Sequence, residues 1–287
     1  MNGATARLSP ELLAKTACAM AAFASNSLLC RFALREGAID AGSFTAIRLG
    51  AGALVLLPLW RSRDVRAEGS WRSALALFTY AGAFSFAYLR LPAGLGALVL
   101  FAAVQATMVG GGLLRGERLT LMRGLGFAVA AAGLVMLTLP GAGAPDLAGA
   151  VLMAAAGFAW GVYSLRGAGA TDPVAATAGN FARTVPLAAL LALACLASAH
   201  VTLRGALIAA SSGALASALG YVLWYGAVRR LLAFEAALVQ LSVPVIAAFA
   251  GVLLLSESMT PRAIASAAAI LIGIAIALRA GNSGAAR

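Results

Sequence analysis

Asn26 stands between Ser25 and Ser27 inside a long apolar run, and an amide flanked by two hydroxyls could hold the ammonium and carboxylate of an amino acid. Polar groups in such runs cost free energy unless paired or wetted, which makes them the first place to look for a binding site. Two more amides, Gln105 and Gln240, lie in other apolar runs. Arg48 is the deepest charge. A guanidinium at a bilayer centre costs roughly 2.5 to 3.5 kcal/mol on insertion scales, so it must face water, an acid, backbone carbonyls or a substrate's carboxylate. Arg183 lies nearer the end of its run, from where it can snorkel to the interface. Aromatic residues recur at helical spacing as Tyr80, Phe84 and Tyr88, and cluster again as Tyr221, Trp224 and Tyr225. Such stripes more often form lipid-facing or interfacial belts, but Tyr80 and Tyr221 sit too centrally for a belt. With Trp160 and Tyr163 they could wall a cavity. For the serines, hydrogen bonds between helices are the competing use.

The acids are informative by position. Glu36, Asp40, Glu117, Asp146, Asp172, Glu235 and Glu257 all fall near the ends of apolar runs, and so does the single histidine, His200. A proton-coupled exporter of lipophilic cations generally needs a buried carboxylate that alternates between proton and substrate. Its absence argues against that mechanism, whereas a facilitator running down its substrate's gradient needs no such group. An intramembrane enzyme would need a nucleophile with its base, paired carboxylates or metal ligands at depth. No such set is present, so no catalytic residue is expected. Cys18, Cys30 and Cys195 lie in apolar runs without metal-ligand spacing, which leaves no metal site and no cofactor to expect.

The elements that would position these residues are membrane spans. At 62% hydrophobic, 11% charged and a mean hydropathy of +0.94, the chain lies outside the range of soluble domains. A span needs about 20 residues. The runs read as ten spans: 11–33, 41–60, 71–91, 93–115, 122–140, 146–167, 173–199, 204–229, 234–256 and 261–279. Residues 1–10 lack the apolar core of a cleavable signal, so the first span is expected to be retained. The net charge of +11 does not point to nucleic acid, because the basic residues are scattered over loops. With the N-terminus inside, the inner connections are rich in arginine, with Arg61, Arg63, Arg66 and Arg72 in one of them. The outer segments hold Arg31, Arg35, Arg90, Arg204 and Arg262. This positive-inside bias places both termini in the cytoplasm of a cell with a bacterial-type inner membrane.

The chain also repeats itself. Residues 97–139 align without a gap on 237–279, with Glu117 on Glu257, Thr120 on Thr260 and Gly133 on Gly273. Phe23, Ala24 and Arg31 fall on Phe158, Ala159 and Arg166, and Arg48 falls on Asn180. The expected organisation is a short tail (1–10), a first repeat (11–140), a second (146–279) and a tail (280–287). An odd number of spans per repeat inverts one repeat against the other, and inverted bundles meeting at mid-membrane give a site that can face either side. Pro186 and Pro244 have no proline at their repeat counterparts and could mark gates in the second half. The expected partners are membrane lipid and a small-molecule substrate, and a monomer suffices.

Gly116-Glu117-Arg118-Leu119-Thr120, recurring as Ser256-Glu257-Ser258-Met259-Thr260 between apolar spans, resembles the EamA-type repeat of the drug/metabolite transporter superfamily. The resemblance covers nearly the whole chain. It implies an all-α polytopic protein of ten helices in two inverted five-helix repeats and the export of small metabolites. In outline the chain is most similar to the YddG-like amino-acid exporters. Asn26, Arg48, Tyr80, Gln105, Trp160, Tyr163, Tyr221, Trp224 and Gln240 are then the candidate substrate-binding residues. Amino acids, aromatic ones included, are the first substrate class to expect, with organic anions or phosphate esters held by Arg48 and Arg183 as the alternative.

Overall fold

The structure, a computed structural model, describes residues 10–58, 68–116, 120–138, 146–231, 233–240 and 242–282. Glu117, Arg118, Arg61, Arg63, Arg66 and both expected tails other than Pro10 and residues 280–282 lie outside the described residues. The helices are α1 (Pro10–Arg35), α2 (Ala41–Leu56), α3 (Trp71–Tyr88), α4 (Ala93–Leu114), α5 (Leu121–Thr138) and α6 (Leu147–Gly167). They continue as α7 (Pro173–Ala194), α8 (Leu203–Val228), α9 (Ala233–Val239), α10 (Ser242–Leu255) and α11 (Pro261–Asn282). Five of them, α1, α4, α6, α7 and α8, are long and apolar enough to cross a bilayer, and α2, α10 and parts of α5 and α11 are shorter apolar helices. The chain is an all-helical, multi-pass membrane protein.

Local chemistry sets where the helices start. Side-chain oxygens of Asp40, Ser70, Asp146 and Thr202 accept from the N–H groups of Ser43, Ser73, Gly149 and Gly205 at 2.7 to 3.1 Å. Asp172 does the same for Val174 and Ala175. Each such cap satisfies an otherwise unpaired donor and contributes about 1 kcal/mol. The expected span 71–91 stops at Tyr88, because Pro92 disfavours helical backbone just before it and instead stands at the start of α4.

Two spans depart from regular α-helix. In α8, residues Ser212–Leu219 form a π-helical segment, bonded i to i+5, between α-helical ends. The expected span 234–256 is described as two helices, α9 ending at Val239 and α10 starting at Ser242. Pro244 therefore kinks no helix: it sits in the first turn of α10, where a backbone N–H would have no partner within the helix. Pro186 remains inside α7.

The packing pairs helices across the two halves of the sequence. α5 lies along α11, α2 along α7, and α4 along α9 and α10, while α1 packs on α8 and α10 and α6 packs on α3 and α4. Where α5 crosses α11, a Cβ on Gly133 would come within 3.0 Å of Ala269 and Ile270, and one on Gly273 would strike Gly126 and Ala130. Both glycines are needed for that approach, and the matching is antiparallel.

Candidate functional site

Arg48 lies two turns into α2, and it is 1% exposed. Gly213 brings it to α8: a Cβ at that position would strike the Arg48 carbonyl, so only glycine lets the two helices cross there. Across that crossing Arg48 Nε donates to Ser217 Oγ at 2.9 Å, and Nη2 donates to the hydroxyls of Tyr221 at 2.8 Å and Tyr80 at 3.2 Å. Its guanidinium carbon is 5.1 Å from the centre of the Tyr80 ring and 4.9 Å from that of Phe84. Nη1 is buried with no hydrogen-bond partner among the described residues. Among the described residues every group that holds this cation is neutral, and a guanidinium does not deprotonate in a protein. The charge is solvated by dipoles and rings but not balanced.

Asn26 joins the same cluster from α1. Its Nδ2 donates to Ser217 Oγ at 3.2 Å and Tyr221 Oη at 3.4 Å, and its Oδ1 accepts from Ser212 Oγ. Ser212 and Ser217 both project onto this cluster because the π-helical repeat stacks residues five apart. Reading the span as an α-helix puts the two serines on different faces, which is why the sequence did not single them out. The visible signal was two hydroxyls in a run of small residues, Ser212-Gly-Ala-Leu-Ala-Ser217.

The expected rings also converge. Trp160 on α6 lies 4.7 Å from Tyr221, 5.0 Å from Tyr80 and 5.1 Å from Phe23, centre to centre. Tyr163 packs on Tyr225 at 4.8 Å, and Trp224 Nε1 donates to Ser164 Oγ at 3.1 Å. Phe84, Tyr88 and Tyr225, expected in a lipid-facing or interfacial belt, are instead at most 1% exposed. Their stripes face the interior because α3 packs on α6 and α7, and the Tyr225 hydroxyl donates to the Tyr163 carbonyl. Phe23, Ser27, Tyr80, Phe84, Leu100, Phe101 and Trp160 line a void of about 10 Å³, room for about one water and none for a metabolite.

Gln105 and Gln240 serve the break between α9 and α10. Gln105 Nε2 donates to the Ala237 carbonyl and Gln240 Nε2 to the Ala236 carbonyl, groups close to the break. Gln240 Oε1 also accepts from Trp160 Nε1 at 2.7 Å, so the break is tied to the ring cluster. Arg183 does not reach Arg48. It donates to the Gly179 carbonyl of its own helix and lies against Gly69, while Asn180 accepts the Ser70 N–H at 3.0 Å.

Both ends of the bundle are fastened. At one end Arg31 Nε pairs with Glu257 Oε1 at 3.2 Å and Nη1 donates to the Tyr88 carbonyl, while Glu257 Oε2 accepts the Ala93 N–H at 2.8 Å. Beside it Asp40 accepts from the His200 N–H, and Ile39 bridges Val201. Partial burial works to raise the Asp40 carboxyl, but hydrogen bonds from Ser43 and His200 outweigh it and hold the group below the ordinary aspartate value. At the other end Arg166 donates to Ser73 Oγ at 2.8 Å and Ser70 Oγ at 3.1 Å. A larger cavity of about 270 Å³ opens at the Glu257 end, lined by Arg90, Asp146 and Thr260 among others. Arg90 there is largely exposed and already paired with Asp146, so the buried, unbalanced Arg48 cluster is the stronger site. Among the described residues no three His, Cys, Asp or Glu side chains come together as metal ligands.

A family model described as EamA-like transporter family matches residues 147–279. A Pseudomonas aeruginosa protein described as uncharacterized protein PA1977 is 55% identical over 266 residues, covering 92% of this chain and 93% of that one. A solved crystal structure superposes with a TM-score of 0.70 at 20% identity, covering 95% of this chain and 98% of the other, and so shares the fold.

Proposed function

We propose, because this chain belongs to the EamA-like transporter family within the drug/metabolite transporter superfamily, that it moves amino acids, aromatic ones included, through the Arg48 cluster. A membrane transporter of small molecules is what the family provides. The single observation that carries the reading further is Arg48, buried among neutral groups at the meeting of α1, α2, α3 and α8. An unbalanced cation at that depth is costly, and a substrate's carboxylate balances it. Asn26, Tyr80, Tyr163, Trp160, Tyr221 and Trp224 surround or wall the position, and Gln105 and Gln240 couple it to the α9–α10 break.

The helix pairing supports alternating access between two inverted five-helix repeats. Self-paired helices (α5 with α11, α2 with α7) and exchanged pairs (α1 on α8, α6 on α3) are what a two-fold relation produces. Arg31 and Arg166, aligned in the sequence, each fasten one end. With both termini in the cytoplasm of a bacterial-type inner membrane, Arg31 and Glu257 close the outer end and Arg166 the inner. The whole cluster comes from one chain, so a monomer suffices.

Organic anions form the second reading, favoured by the neutral surroundings of Arg48. Phosphate esters fit it less well, since Arg183 does not join the cluster and a second charge would find no second guanidinium. Uptake of radiolabelled amino acids into proteoliposomes tests the proposal. Aromatic amino acids are expected to equilibrate without a proton gradient and at the same rate with one. Failure across the panel sinks the amino-acid reading and moves the weight to other anions.

A further inference from the structure

We infer that the site reads two features of its substrate, a single carboxylate and an apolar ring, and that an amino acid's ammonium group is dispensable to recognition. This rests on the proposal that Arg48 anchors the substrate. Four buried side-chain polar atoms lack hydrogen-bond partners among the described residues, and three of them belong to this region, the Tyr163 hydroxyl among them. Arg48 Nη1 is one. Ser27 Oγ, close enough to the Tyr88 hydroxyl to interact with it but without a well-formed hydrogen bond, is another. Buried donors are nearly always paired, so an unpaired one in a transporter's core marks a place a ligand atom would fill.

Both donors stand beside the same two rings. Ser27 lines the small void, and the Arg48 guanidinium lies over Tyr80 and Phe84, two rings of that same void. A carboxylate has two oxygens, one for each donor, with charge-assisted bonds. Phe23, Phe101 and Trp160 then offer faces and edges to an apolar body that turns the rings aside. For an ammonium the cluster offers the neutral Tyr163 hydroxyl but no opposite charge. No acid contacts the cluster among the described contacts: Glu257 and Asp40 are engaged at the bundle end. The charge sum decides the preference. Arg48 with a monocarboxylate is neutral, whereas Arg48 with a zwitterion keeps a net positive charge away from water. The ammonium-free acid should therefore bind at least as well as the amino acid.

Titrating the purified full-length protein in detergent with 3-phenylpropanoate, L-phenylalanine, L-phenylalaninamide and phenyl phosphate, followed by calorimetry, tests this. The expected order is 3-phenylpropanoate at or above phenylalanine, with no saturable binding of the amide. Arg48→Gln should weaken both carboxylates by roughly tenfold or more, and Ser27→Ala by a smaller factor. Should a variant fail to fold, competition on wild-type protein still decides: 3-phenylpropanoate must displace phenylalanine and the amide must not. Binding of phenylalanine but not 3-phenylpropanoate overturns the inference and leaves the amino-acid carrier standing, as does displacement by the amide. Tightest binding of phenyl phosphate overturns it in favour of a dianion, and binding of none of the four brings down both readings.

Discussion

At the residue scale, Arg48 is a side chain whose position makes little sense for stability. A buried charge with no opposite charge beside it pays its desolvation without a Coulombic return, so a neutral group of similar size costs the fold little, provided the groups around it can pair among themselves. Ser217, Tyr80, Tyr221 and Asn26 can do so, since each hydroxyl both donates and accepts. Arg48→Gln should therefore leave the thermal midpoint unchanged or raised while abolishing transport at normal expression. A large fall in the midpoint with transport intact would show that the arginine holds the fold and not the substrate. Tyr221→Phe differs, because it takes one acceptor from both Arg48 and Asn26. It should lower stability by about 1 to 3 kcal/mol as well as slow transport.

At the scale of elements, the site depends on close helix crossings and irregular backbone. Gly213→Val should splay α2 from α8 and remove Arg48 from Ser217, reducing folded protein far more than Val at Gly50 or Gly82, where a Cβ meets open space. Yields by size-exclusion chromatography with thermal denaturation would check the contrast. This is also where sequence reading stopped. Asn26, Arg48, Tyr80, Trp160 and Tyr221 were legible because a polar or amphipathic residue in an apolar run has few reasons to be there. Ser212 and Ser217 were not, since only the i to i+5 repeat brings them to one face. In the sequence Tyr88, Phe84 and Tyr225 look like a belt because a stripe shows that a helix has a face, not which neighbour covers it. The α9–α10 break is equally hidden: residues 234–256 are mostly apolar and long enough for one span, and Gln240 reads as a site amide until it is seen between the Ala236 carbonyl and the Trp160 N–H.

For the whole molecule, the fixed charge of Arg48 has a kinetic consequence. Loaded with a monocarboxylate, the carrier crosses between inward and outward forms with that charge balanced, whereas the empty one carries it alone. Exchange of labelled for unlabelled substrate across proteoliposomes should thus run several-fold faster than net efflux into substrate-free buffer. Equal rates would mean that the empty site is balanced by some other ion or by water. The π-helical segment of α8 carries a different lesson, about heredity. Loss of a single codon anywhere in 212–219 would leave a span of ample length and unchanged greasiness, and translation and insertion would proceed as before. It would also change the angular register of everything beyond, carrying Tyr221 and Trp224 off the cluster. Among natural variants of this chain, silent-looking in-frame deletions there would be the null alleles.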